Sequence, residues 1–122
     1  MLVPYKKDYE KMAMGLLSYL PDFKNLQNLQ EEMKLYSKDE ALQLFLYKNA
    51  DQNIVGLVGT EKGDGCLVLR YVSLAPGFRD DENLSNLMQE LRQEAGKGKL
   101  MTVPEYTYLL RYLKDDRPKH DD

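Results

Sequence analysis

Val68-Leu69-Arg70-Tyr71-Val72-Ser73-Leu74-Ala75-Pro76-Gly77-Phe78-Arg79 reads as a buried strand that ends in a Pro-Gly turn, with an arginine leading into a helix. Leu84, Leu87, Met88 and Leu91 mark that helix by their spacing. Backbone N–H groups at such a helix start are unpaired and point outward, so the junction is a ready seat for an anion. The seat already holds acids. Asp80, Asp81 and Glu82 occupy the first turn, where a loop built to approach an anion closely is expected to be rich in glycine. Architecture and chemistry disagree at this point.

Downstream, Gly96-Lys97-Gly98 closes the helix near Ala95, glycine supplying the left-handed C-terminal conformation. Residues 100–103, Leu-Met-Thr-Val, then predict a strand one helix-length after the first, which makes a β-α-β unit with parallel strands. Pro104 suits the first turn of a last helix, with Tyr106, Leu109, Leu110 and Leu113 facing inward. Upstream, Leu42, Leu44 and Leu46 alternate with Gln43, Phe45 and Tyr47. A polar loop leads from them to a β-rich run at 54–60, and the pair reads as a hairpin. Gly63-Asp64-Gly65 is the turn before the strand quoted above. Residues 2–5 predict a short first strand, held to an edge or an end by Pro4. Tyr9, Met12, Ala13, Leu16, Leu17 and Leu20 predict an amphipathic helix ended by Pro21. Asp22 is the predicted N-cap of a second, surface helix, with Phe23, Leu26, Leu29, Met33 and Tyr36 on its inner face.

The chain has 122 residues, 43% hydrophobic and 30% charged, which fits one domain at 1–114 and a charged tail at 115–122 that contains Pro118. A net charge of −3 provides no bulk attraction for nucleic acid or an anionic membrane. Cys66 is alone, so it forms no disulfide within the chain; as a strand residue it reads as a small buried hydrophobe rather than a nucleophile. His120 has no second histidine or cysteine cluster beside it for a metal. With no apolar run of membrane-spanning length and no signal-peptide core, the expected setting is the cytoplasm.

The order β-α-α-β-β-β-α-β-α, with a strand-Pro-x-x-Arg-helix junction in its middle, resembles the GCN5-related N-acetyltransferase superfamily through Leu113. The start Tyr5-Lys6-Lys7 and the segment Met12-Ala13-Met14-Gly15-Leu16-Leu17-Ser18 are similar to the RibT-type proteins of bacterial riboflavin operons. The resemblance implies an α/β (α+β) fold, a mixed central sheet of about five strands with helices on both faces. It also implies acetyl-CoA lying where the fourth and fifth strands splay apart, its pantetheine arm on the backbone of Val72, Ser73 and Leu74.

The family seats the pyrophosphate in a loop of pattern Arg/Gln-x-x-Gly-x-Gly/Ala. Here that loop is Arg79-Asp80-Asp81-Glu82-Asn83-Leu84, which keeps the arginine and replaces both glycines. An acid ~4 Å from a phosphate charge costs ~1 kcal/mol in water and ~4 at an effective dielectric of ~20. Micromolar affinity is worth only ~8 kcal/mol, so acetyl-CoA binding is expected to be weakened. The same acids, read structurally, complement the helix dipole by ~0.3–1 kcal/mol each.

The family's acid tyrosine in the last helix falls at Leu113, which leaves its neighbour Tyr112 as the catalytic candidate. The Asn that often contacts the cofactor is Tyr106 here. Glu61 is a candidate base, or a solvated charge near a turn. The implied activity is acetyl transfer from acetyl-CoA to an unknown primary amine, with a link to riboflavin biosynthesis. The rival is a degenerate member of the fold with weak or no acetyl-CoA binding, acting as a non-catalytic binding or interaction module. The expected partners are the amine substrate or another protein, and a second copy of the chain as a homodimer.

Overall fold

Alternation in the middle of the chain builds a five-stranded sheet in chain order: β1 (Leu2–Pro4), β2 (Leu42–Lys48), β3 (Ile54–Gly63), β4 (Cys66–Leu74) and β5 (Lys99–Thr102). The computed structural model describes residues 1–116. Residues 117–122, including Pro118 and His120 of the expected tail, lie outside the described residues. The first four strands are antiparallel neighbours, and β5 joins β4 in parallel, with Cys66 opposite Lys99 and Leu69 opposite Thr102. The expected β-α-β crossover is therefore present, one residue earlier than its apolar run indicated.

Period-two alternation sorts the strand side chains into two layers. Leu44, Leu46, Leu57 and Tyr71 face α1 (Glu10–Leu17) and α2 (Leu26–Lys38), where they meet Ala13, Leu16, Leu17 and Leu29. Phe45, Val58, Leu69, Val72 and Leu74 face α3 (Asp81–Glu94) and the last helix (Pro104–Asp116), meeting Leu87, Met88, Leu91 and Leu109. Fully burying an aliphatic side chain of this kind contributes ~1.5–3 kcal/mol, so both faces of the sheet are anchored.

Several local expectations needed correction, among them the first helix, which ends at Leu17, short of Pro21, and leaves Met12 exposed. Asp22 does not cap α2: Pro21–Phe23 forms a 3-10 turn of its own with Pro21 in its first turn. The cap passes to Asn25, whose Oδ1 accepts the N–H groups of Gln27 and Asn28 at 2.8 and 3.3 Å. Leu26 is 62% exposed, because the inward face of α2 begins one turn later, and Glu32 is buried on that face. Cys66 is half-buried at the mouth of its strand rather than buried. The last helix is wound as a 3-10 helix, with consequences for the site.

Pairing shifts where Gly59 opposes Tyr71 and Thr60 opposes Leu69, leaving Arg70 as an extra residue that bulges β4. A β-carbon at Gly59 would stand 2.5 Å from Cε1 of Tyr71 and 2.6 Å from the Tyr36 hydroxyl. Gly59→Ala is therefore expected to destabilise the protein by ~1–3 kcal/mol through overpacking. A lowered urea midpoint would report it, and an unchanged midpoint would mean that the two tyrosines yield freely.

Candidate active site

Beyond Thr102 the parallel pair comes apart. The Val103 N–H makes a last bond to the Leu69 carbonyl at 3.0 Å, and no strand among the described residues pairs with that edge of β4 over residues 70–74. Backbone groups left this way need other partners. The Leu74 carbonyl accepts from Arg79 Nε at 2.7 Å. The Tyr106 hydroxyl lies beside the Val72 backbone: burial raises its pKa above the ordinary tyrosine value, and the Val72 contact opposes part of that rise.

A cleft of about 300 Å³ opens along this edge, lined by Tyr19, Leu20, Val72, Ser73, Leu74, Arg79, Leu84, Tyr108 and Leu109. Five residues named from the sequence, Val72, Ser73, Leu74, Arg79 and Leu84, are thus brought together. Ser73 gives its hydroxyl away from the cleft, donating to the Leu16 carbonyl. Tyr19 arrives from the α1–α2 connection, and the Arg79 guanidinium stands 5.2 Å from its ring centre. A larger cavity of about 660 Å³ between α1, α2 and the start of β2 shares no lining residue with this cleft.

At the start of α3 the chain seats its own carboxylates. Asp80 is the N-cap, accepting the Asn83 N–H at 2.8 Å and Asn83 Nδ2 at 3.1 Å. Asp81 accepts the Tyr112 hydroxyl at 2.6 Å. Arg111 donates to that same hydroxyl at 3.1 Å and lies 5.0 Å from the centre of the Tyr112 ring. Glu82 is exposed.

The placement of Tyr112 follows from the winding. A 3-10 helix turns ~20° more per residue than an α-helix, so eight residues after Pro104 the drift is ~160°. Tyr106, Leu109 and Tyr112 then share one line, half-buried, buried and half-buried, while Glu105, Tyr108 and Arg111 share an exposed one. Tyr108 is the last-helix tyrosine that lines the cleft; the α-helical period hid it, and a period of three would have separated it from Tyr112. Tyr19 had no signal in the sequence, because only the tertiary fold carries its loop to β4.

A second polar group centres on the bulge. Glu32 Oε2 accepts from Arg70 Nη1 at 2.8 Å and from the Tyr71 hydroxyl at 2.9 Å, and Arg70 Nη1 also donates to the Tyr36 hydroxyl at 2.6 Å. The guanidinium lies about equally far from the Tyr36 and Tyr71 rings, at 5.4 and 5.5 Å. Burial lowers the guanidinium pKa, but Tyr36 and Glu32 beside it more than restore it. Burial raises the Tyr36 and Tyr71 hydroxyls above the ordinary tyrosine value. Glu61, by contrast, is exposed near the end of β3.

No family model matches the chain. It is 40% identical over 93 residues to a protein of Bacillus methanolicus described as an uncharacterized N-acetyltransferase in the lysA 3′ region, covering 75% of this chain and 77% of that one. Its fold matches a spermidine N-acetyltransferase SpeG chimera from Vibrio cholerae and hSSAT (TM-score 0.69, 14% identity, 94% of this chain and 79% of that one). It also matches the aminoglycoside N-acetyltransferase AAC(6′)-Iy in complex with CoA (TM-score 0.64, 16% identity, 94% and 84%). The Bacillus subtilis protein YycN, a putative acetyltransferase by its description, superposes with a TM-score of 0.66 at 15% identity (100% and 93%). The chain belongs to the GCN5-related N-acetyltransferase superfamily.

The buried tyrosines predict an alkaline limit. Above the free tyrosine value of 10.0 the unfolded chain releases protons that the folded chain retains, so stability is complete below that pH and falls as pH rises. The loss approaches ~1.4 kcal/mol per pH unit for each such group. Urea unfolding from pH 8 to 11 should show the fall, and Tyr71→Phe should flatten it while costing ~1 kcal/mol at neutral pH for the lost hydrogen bond. Parallel curves for the two proteins would remove Tyr71 as a cause.

Proposed function

We propose that this protein is an acetyl-CoA-dependent N-acetyltransferase that acetylates a small primary amine. The observation that carries the reading is the free edge of β4 over residues 70–74, opening on a cleft lined by Tyr19, Arg79 and Tyr108. A pantetheine arm pairs with such an edge as a strand would, which holds the thioester for attack. The neutral amine adds to the thioester carbonyl carbon, the C–N bond forms, and the C–S bond breaks. Backbone N–H groups of this edge are the donors for the oxygen that gains charge, the Tyr106 hydroxyl giving way to it at Val72. The departing thiolate takes a proton, for which Tyr108, in the cleft wall, is our choice of donor, with Tyr112 on Asp81 as the comparison. The proton shed by the new amide nitrogen passes through water and restores the tyrosine. The spermidine and aminoglycoside enzymes that share the fold support an amine acceptor.

The likeness of residues 5–7 and 12–18 to RibT-type proteins extends the proposal to an amine of riboflavin metabolism in the cytoplasm. No helix among the described residues is long and apolar enough to cross a membrane. The degenerate-module reading is not favoured, since the relative at 40% identity is described as an N-acetyltransferase and the matching folds include amine acetyltransferases.

A thermal-shift panel with acetyl-CoA, CoA and flavins, followed by a thiol-release assay over primary amines, tests the reading. Acetyl-CoA should raise the melting temperature, and Tyr108→Phe should lower kcat by ~10²–10⁴ with little change in folding. Tyr112→Phe should leave kcat within a few-fold. The reverse order would return the acid role to Tyr112, and no release with any amine would restore the module reading.

A further inference from the structure

The two halves of a CoA-type donor fare differently against this site. The pantetheine half meets a free strand edge and a cleft of about 300 Å³, at the small end of the ~300–1,000 Å³ range of ligand clefts. The diphosphate half does not fit the seat its family provides. Asp80 already takes the Asn83 N–H at the head of α3, and Asp81 is tied to the Tyr112 hydroxyl. Among the described residues two arginines stand at this end, and each gives a donor to the protein itself. Arg79 Nε is on the Leu74 carbonyl with Tyr19 beneath it, and Arg111 lies over Tyr112 and donates to its hydroxyl. Three carboxylates, Asp80, Asp81 and Glu82, outnumber those two cations, and no glycine replaces Glu82 or Leu84 to let phosphate approach the backbone.

We infer that this protein recognises its acyl donor by the pantetheine arm alone, and that Asp80, Asp81 and Tyr112 make the diphosphate and nucleotide dispensable. The inference rests on the cleft being the donor site of the proposed acetyltransferase. It widens the donor class from acetyl-CoA to acyl-pantetheine thioesters that carry no nucleotide. Arg79 acts in it as a positioning residue, holding the end of β4 open at Leu74, and not as a phosphate hook.

Calorimetric titration of the whole protein with CoA, pantetheine and 3′-phosphoadenosine 5′-phosphate tests it without any turnover. CoA and pantetheine should bind within about threefold of each other, with little dependence on salt, and the nucleotide half should not bind. CoA binding tenfold or more tightly than pantetheine, measurable binding of the nucleotide half, or no binding of pantetheine would each overturn the inference. Asp80→Ser keeps a capping oxygen and removes one charge, so it should shift the CoA-to-pantetheine ratio toward CoA by about fivefold. An unmoved ratio would strike Asp80 from the assignment. Arg79→Ala should weaken both ligands alike, whereas selective loss of CoA would make it a phosphate contact and defeat the inference. Acetyl-CoA and S-acetylpantetheine are then compared as donors. Pantetheine binding without transfer from either thioester would remove the acetyltransferase reading and leave the recognition mode standing.

Discussion

Backbone N–H and C=O groups taken out of water must find partners, and one edge of β4 lacks its strand from residue 70 onward. That requirement organises the surroundings. Arg79 reaches back to the Leu74 carbonyl, Tyr106 stands against Val72, and the two ends of the chain's helical layers, Tyr19 and Tyr108, close in over the gap. β5 is parallel and only Lys99–Thr102 long, so the separation is built into the topology. A two-residue hairpin can hold antiparallel neighbours together, but a parallel neighbour returns through a crossover helix and is free to diverge at its far end.

The head of α3 meets the same requirement differently. Four N–H groups of a helix start have no partner in the helix, and a bound anion is one way to satisfy them. Here the Asp80 side chain satisfies one of them, the Asn83 N–H, and Asp81 is fastened to the last helix through Tyr112. The junction gains the helix-dipole stabilisation that an anion would bring without needing one. It is also tied to the last helix a second time, since Gln89 of α3 donates to the Tyr112 carbonyl at 3.0 Å.

On the opposite face of the sheet the bulge at Arg70 sets a charged group into a nearly dry layer. Glu32 and Arg70 are 75% or more buried at their side chains (10% and 25% exposed), a setting in which losing one partner of an ion pair costs ~3–5 kcal/mol. Tyr36 and Tyr71 supply the remaining hydrogen bonds and the flat surfaces on either side of the guanidinium. The bulge that widens β4 toward its free edge is thereby pinned to α2, and Gly59 is the residue whose missing side chain makes room for it.

By itself the sequence determined the sheet, the crossover and the helix that starts at Asp80, because period-two and period-three-to-four apolar spacing, Gly96 and the Pro76-Gly77 turn act over a few residues. It showed as well that Glu82 and Leu84 stand where the family's loop pattern has glycine. The cap at Asn25, the burial of Glu32, the cleft tyrosines Tyr19 and Tyr108, and the seat of Tyr112 on Asp81 belong to the tertiary structure alone. Glu32 reads as solvated among the Gln, Lys and Glu of α2 until Arg70, 38 positions away, is folded against it. Tyr108 and Tyr112 cannot be told apart by spacing until packing against α3 and β4 chooses the tighter winding of the last helix. Local spacing encodes which face a residue takes within its own element; which residues then meet across elements is decided only when burial and hydrogen-bond satisfaction are settled for the whole chain at once.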